Sequence, residues 1–228
     1  MANENSQNIN YLFFNDKEVN DVFAEIDYEL KNGVHFQSKH PKQEKKYNFI
    51  NRHYKKQGEL ELKDYYFNLY GINLEVKEDA DNNSYYFLDF IESGKGKLSK
   101  QKITYLSEEY ILIGLLLWII HQIYGNSMNS CHEFYETVIK DYEDFKEDLF
   151  RTILNYSKDN SMFSVNNKFE DKIYESIEKF GELGWIYLHE DKNTFQIMPS
   201  FERIIKMNIN EIQTAREILE SKKKKNEE

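Results

Sequence analysis

Hydrophobic positions along the chain switch between two periods, the 3.6 of a helix and the 2 of a strand, and the switches outline the elements. Val19, Val22, Phe23, Ile26 and Leu30 recur at helical spacing behind Asn15 and Asp16, which can cap, and Asn32-Gly33 ends the run. Residues 34–37 form a short strand candidate, stopped by Pro41. A second helix is predicted over 42–57, with Tyr47, Ile50 and Tyr54 on one side, and a third carries Leu60, Leu62, Tyr65, Tyr66 and Leu69 up to Gly71. Ile72, Leu74 and Val76 then alternate with polar residues. A polar turn covers 79–83, and Tyr85-Tyr86-Phe87-Leu88 returns as an aromatic strand.

The same order comes back further along the chain. Ile173, Ile177, Phe180 and, less strictly, Leu183 give a helix one apolar face, and Gly184 is placed for a left-handed C-cap. Residues 185–188 and 194–197 are β-branched or aromatic runs joined by Glu190-Asp191-Lys192-Asn193, and Pro199 opens another helix. Helix, glycine stop and β-hairpin make the back half of a winged helix-turn-helix. Two copies predict an α+β, mostly α chain of two tandem winged helix-turn-helix domains; a solenoid would repeat at roughly 20–50 residues. The expected parts are an N-terminal arm (1–16), a first domain (17–92), a flexible basic linker (93–106), a second domain (107–207), a C-terminal helix (208–221) and a disordered tail (222–228).

Within the second domain, Ser107 with Glu108 and Glu109 starts a helix in N-cap style. Its body, 110–124, is apolar on nearly all sides and needs cover all round. A small winged-helix core rarely surrounds a helix, so a contact between domains or subunits is expected through Tyr110, Ile111, Ile113, Leu116, Trp118 and Ile119, with Trp185. Helices are predicted at 130–139 and 141–155, a polar loop at 157–167, and a short last helix at 210–219.

Charge changes the picture of the first domain. The 228 residues carry a formal net charge of −10, which argues against a free-standing nucleic-acid binder but leaves room for one basic face. That face is residues 39–56, where Lys39, Lys42, Lys45, Lys46, Arg52, Lys55 and Lys56 stand against Glu44 alone. Interleaved Tyr47, Phe49, His53 and Tyr54 suit phosphate contact with packing beneath, and a solvated helix face fits the same residues. The acidic run Asp141, Glu143, Asp144, Glu147 and Asp148 reads either as a solvated face or as a docking face for a basic partner.

Candidate chemistry adds little. Scattered histidines show no metal-ligand spacing, and neither His132-Glu133 nor His189-Glu190 extends to a zinc motif. Gly94-Lys95-Gly96-Lys97 lacks the spacing of a phosphate-binding loop, and Asp79-Ala80-Asp81-Asn82-Asn83 lacks the terminal glutamate of a calcium loop and reads as a hairpin turn. The single cysteine, Cys131, excludes an internal disulfide, reads as a buried structural residue and fits a reducing cytoplasm. No segment has the order of a signal peptide, and the longest apolar run, 110–120, falls short of the about 20 residues of a membrane span. No catalytic, cofactor-binding or metal residue is nominated, and no cofactor is expected.

Several runs in order resemble the MukE/MksE family: Lys31-Asn32-Gly33-Val34-His35-Phe36; Tyr65-Tyr66 with Leu69-Tyr70-Gly71-Ile72 and Leu74; and Tyr85-Tyr86-Phe87-Leu88. Leu106-Ser107 before an apolar helix, Leu183-Gly184-Trp185-Ile186 and Phe195-Gln196-Ile197 continue the likeness, which covers roughly 19–219. The family's Arg-rich helix before the last wing is not reproduced, because residues 168–182 carry five acids against three bases. The resemblance implies a non-enzymatic homodimer, a kite-type subunit of a bacterial SMC-like condensin. It would bind a kleisin (MukF/MksF-like) and, through it, an SMC-like ATPase (MukB/MksB-like), on double-stranded DNA. It would be cytoplasmic and nucleoid-associated, without membrane contact, serving chromosome organisation or, in a Wadjet-like branch, plasmid restriction. The alternative is a dimeric winged-helix transcriptional regulator, which should carry a basic helix just before its wing.

Overall fold

The computed structural model describes residues 10–90, 94, 96–98, 106–124, 129–141 and 162–208. The architecture is α+β and mostly helical, in two compact units. Most of the N-terminal arm, most of the linker, the acidic helix at 141–155 beyond Asp141, the first part of the loop at 157–167, the last helix at 210–219 and the tail lie outside the described residues.

The first unit comprises Met1–Tyr105 with Glu182–Gly184. Helix α1 (Val19–Lys31) buries Val22, Ile26 and Leu30 at the spacing its sequence dictates. Strand β1 (Phe36–Gln37) follows, then α2 (Glu44–His53), which buries Phe49 and Ile50, and α3 (Leu62–Tyr70), which buries Leu62, Tyr65 and Tyr66. A reciprocal capping box opens α3, with the Glu61 amide donating to Asp64 Oδ2 at 3.1 Å. Gly71 closes it at φ +67°, its amide donating to the Phe67 carbonyl at 2.8 Å.

Strands β2 (Leu74–Glu78) and β3 (Ser84–Leu88) form the expected hairpin, and the sheet order is β1-β3-β2. Tyr86 stands opposite Phe36 on one side and Val76 on the other. Tyr85, Tyr86, Phe87 and Leu88 are all buried, so both faces of β3 are covered, which accounts for its unbroken aromatic run where β2 alternates. Tyr86 and Leu88 join the helical core, while Tyr85 and Phe87 stack on each other beside His35.

The turn before β3 is closed by Asp79, whose Oδ1 accepts the amides of Asp81 and Asn83 at 2.9 and 2.7 Å. The acidic run is therefore a hairpin turn folded around its own first carboxylate. In the linker segment, the Lys97 amide donates to the Tyr70 carbonyl at 2.8 Å and Leu98 is buried in this core. Within the same unit, the His35 amide donates to the Leu183 carbonyl at 2.9 Å, and the Gln37 side-chain amide to that of Gly184. Gly184 takes the left-handed conformation expected of it, φ +70°.

The second unit contains α4 (Glu108–Tyr124), α5 (Cys131–Asp141), α6 (Met162–Glu182) up to Gly181, β4 (Ile186–Leu188), β5 (Phe195–Ile197), a 3-10 turn at Pro199–Glu202, and α7 (Arg203–Met207). Residues 162–167, expected as loop, are the first turns of α6. Met162 and Val165 extend the spacing of Phe169 and Ile173 backwards, and no proline or glycine interrupts. Phe134 and Val138 of α5 and Phe169, Ile173, Ile177 and Phe180 of α6 are buried, as are Phe195, Phe201 and Ile204. The hairpin pairs Ile186 with Ile197 and Leu188 with Phe195. Ser130 bridges to Thr194, and the Phe195 amide donates to the Asn129 carbonyl at 2.7 Å. The residues leading into α5 thus lie beside the returning strand, as β1 lies beside β3.

Gly71→Ala should destabilise the chain by roughly 1–2 kcal/mol, because a Cβ is strained at positive φ while no side chain crowds the position. Equilibrium denaturation reads this directly; an unchanged midpoint would remove the left-handed cap from the account.

Candidate nucleic-acid and docking surfaces

Helix α2 carries Lys45, Lys46 and Arg52 of the basic stretch, and its packing beside α1 determines what faces those three cations. The α1 acids Asp21, Glu25 and Glu29 fall at i, i+4 spacing and form a row. Lys45 Nζ lies 3.5 Å from Asp21 Oδ2, and Lys46 Nζ lies 2.9 Å from Glu25 and 2.8 Å from Glu29. Arg52 reaches Glu18 and, at 3.4 Å, Asp16, while Lys56 pairs with Glu59 within its own turn. Lys55 Nζ lies 5.8 Å from the centre of the Tyr54 ring. Lys39 and Lys42 are exposed, and Lys39 contributes to the electrostatic field at Asp79.

Protonation follows these contacts. Burial alone would lower the Lys46 pKa, but its hydrogen bonds to Glu29 and Glu25 outweigh that and raise it. Arg52 is raised chiefly by its hydrogen bond to Glu18. Asp16 is lowered first by the Glu18 amide and next by His53. The His53 ring stands between two carboxylates, with Nε2 2.8 Å from Asp16 Oδ2 and Nδ1 3.2 Å from Glu61 Oε2. Asp16 therefore links the segment before α1 to the C-terminal end of α2.

The helices preceding the hairpins are not basic. On α3 the exposed positions Phe67, Asn68 and Leu69 include two large apolar side chains. On α6, Lys172 pairs with Glu175 at 2.6 Å, and Lys192 of the hairpin turn pairs with Glu178 at 3.1 Å. Neither helix has the cationic face that groove reading needs.

Helix α4 has a buried and a half-exposed side. Ile113, Leu117 and Ile120 are fully buried, and Leu116 nearly so. Gly114 allows close approach of Ile204 and Phe180, where a Cβ would collide with the Ile204 side chain. Trp118 lies 6.2 Å from the Phe201 ring. Tyr110, Ile111, Leu115 and Trp118 are half-buried, and Ile119 is 49% exposed. Of the residues nominated for an interface, Ile113, Leu116 and Trp185 are thus buried within the second unit. Tyr110, Ile111, Trp118 and Ile119 keep surface.

Cys131 is buried, and burial pushes its thiol up to about 12, far from a reactive thiolate. Burial also pushes His40 down to about 4. Among the described residues no group of three or more His, Cys, Asp or Glu is arranged to hold a metal ion. Among them, too, no helix is long and apolar enough to cross a membrane. Asp16 was singled out only as a possible helix cap, and Glu18, Asp21, Glu25 and Glu29 were not singled out by sequence reasoning, although the i, i+4 row on α1 was there to be read. The exposed Leu69 was read as part of the apolar face of α3, and Phe67 was not singled out.

The described chain is α+β, in two units that each carry a helix followed by a β-hairpin. The family model described as condensin complex protein MksE matches residues 21–207, and the chain belongs to that family. A comparison with curated proteins gives no match.

The Asp16 carboxylate sets a pH test. Its folded pKa lies below the ordinary 3.8, so its contribution is full above that value and is lost as pH falls through the folded pKa. Asp16→Asn keeps an oxygen for the Glu18 amide and loses the charge facing Arg52 and His53. The variant should be less stable at neutral pH by up to about 1 kcal/mol, with the gap closing below 3.8. A gap that persists in acid would show that the charge is not responsible.

Proposed function

We propose that the chain is a non-enzymatic accessory subunit of a bacterial SMC-kleisin condensin complex, one that binds the kleisin and assists the loading or compaction of DNA. The observation that carries this reading is the family match across residues 21–207, most of both units. We read each unit as a winged helix-turn-helix. The first supports this with its order α1-β1-α2-α3-β2-β3 and sheet order β1-β3-β2. The second supports it with the Ser130–Thr194 bridge beside its hairpin.

On this reading an SMC-like ATPase is reached through the kleisin, and the protein acts in the cytoplasm at the nucleoid. The subunit is a homodimer, for which the surface left on α4 at Tyr110, Ile111, Trp118 and Ile119 is the candidate contact. The cations from Lys39 to Lys56, on α2 and on either side of it, are the candidate DNA-facing residues within the assembly. The apolar exposed end of α3 favours a protein partner over an operator, since a regulator reads its groove with polar and basic side chains.

Affinity purification from the native organism tests the assignment. A kleisin and a large coiled-coil ATPase should co-purify. Recovery of the chain without them, together with tight binding to a defined operator, would favour the regulator instead. Light scattering of the purified chain at micromolar concentration should give the mass of a dimer, and a monomer would count against the dimer proposal.

A further inference from the structure

Three of the cations that a DNA surface would use are already matched by carboxylates of α1 and of the segment before it. Lys45, Lys46 and Arg52 face Asp16, Glu18, Asp21, Glu25 and Glu29, three positive groups against five negative ones. On α1, Asp21, Glu25 and Glu29 stand one turn apart, so their side chains form a row of negative charge with steps of roughly 5–6 Å between Cβ atoms. A phosphate backbone offers lysines the same thing, a regular line of anionic oxygens.

We propose that α1 is an autoinhibitory mask over the basic strip of α2: its carboxylates occupy the positions on Lys45 and Lys46 that DNA phosphates would take, and the protein by itself holds DNA weakly. This rests on the proposal that the strip faces DNA.

The pairs are strong enough to compete and weak enough to be displaced. Lys45 and Asp21 are 59% and 66% exposed, and solvent weakens a pair held so openly. Lys46 is held more firmly, at 21% exposure between two glutamates. A polyanion gains counterion release at each lysine it takes, which one carboxylate cannot match. DNA concentrated by the assembled complex can therefore displace these carboxylates from the lysines, whereas DNA free in solution is resisted.

The test uses the full chain and a short double-stranded DNA at low salt, with fluorescence anisotropy as readout. Asp21→Asn, Glu25→Gln and Glu29→Gln together should tighten binding at least several-fold. They should also steepen its salt dependence by roughly 0.9 log unit for each lysine released. A control with the same change in net charge, Asp81→Asn, Asp171→Asn and Glu190→Gln, should give a clearly smaller gain. Equal gains in the two triples, or none in the first, would overturn the mask.

Lys45→Glu with Lys46→Glu separates the two ideas. If this variant loses DNA binding while the α1 triple gains none, the strip binds DNA and the mask is wrong. If DNA binding ignores both sets, the strip reading fails and the mask with it. Glu25→Gln alone, at a 67% exposed position, repeats the test should the triple fold poorly; it too should tighten binding, and no change would count against the mask.

Discussion

In the first unit, β3 lies between β1 and β2, and Tyr85, Tyr86, Phe87 and Leu88 are all buried. Four large side chains in a row can be buried only if both faces of the strand are covered, and its neighbours on both edges satisfy its backbone groups. The core around Tyr86 and Leu88 contains Val22, Ile26 and Leu30 of α1, Phe49 and Ile50 of α2, and Tyr65 and Tyr66 of α3. Covering this strand therefore brings the three helices together. It also sets α1 beside α2, and that neighbourhood decides the electrostatics of the surface.

The basic stretch and the acidic helix are consequences of one packing event. Cations nominated by composition as a nucleic-acid surface meet carboxylates supplied by α1 and by the segment before it. The strip is less a bare positive patch than a ladder of exchangeable pairs. The exposed apolar positions, Phe67 and Leu69 on α3 and Ile119 on α4, lie away from that ladder in sequence and suit contacts of a different kind.

Much of the fold was legible in the chain. The run Val19 to Leu30, the glycine stop at Gly71, the Asp79 turn and both hairpins follow from periodicity and turn chemistry, which are local properties. The start of α6 was missed because Ser157 to Asn167 is rich in polar residues, and the spacing of Met162 and Val165 was outweighed by composition. The family resemblance was legible too, and the family match covers its central span. Pairing of the basic strip was not legible, because no single stretch contains both halves of the ladder. Nor could periodicity separate Ile113 and Leu116, which are core, from Ile119, which is not. An all-round apolar helix shows no preferred face until its neighbours are known.

The central claim is that this chain works by docking to protein partners. Hydrogen–deuterium exchange of the full chain, measured alone and with the cognate kleisin, tests it most directly. The account predicts new protection at an exposed apolar surface, such as the end of α3 at Phe67 to Leu69 or the Ile111 and Ile119 side of α4. Unchanged exchange with the kleisin, together with protection of α3 by a specific DNA duplex alone, would contradict it.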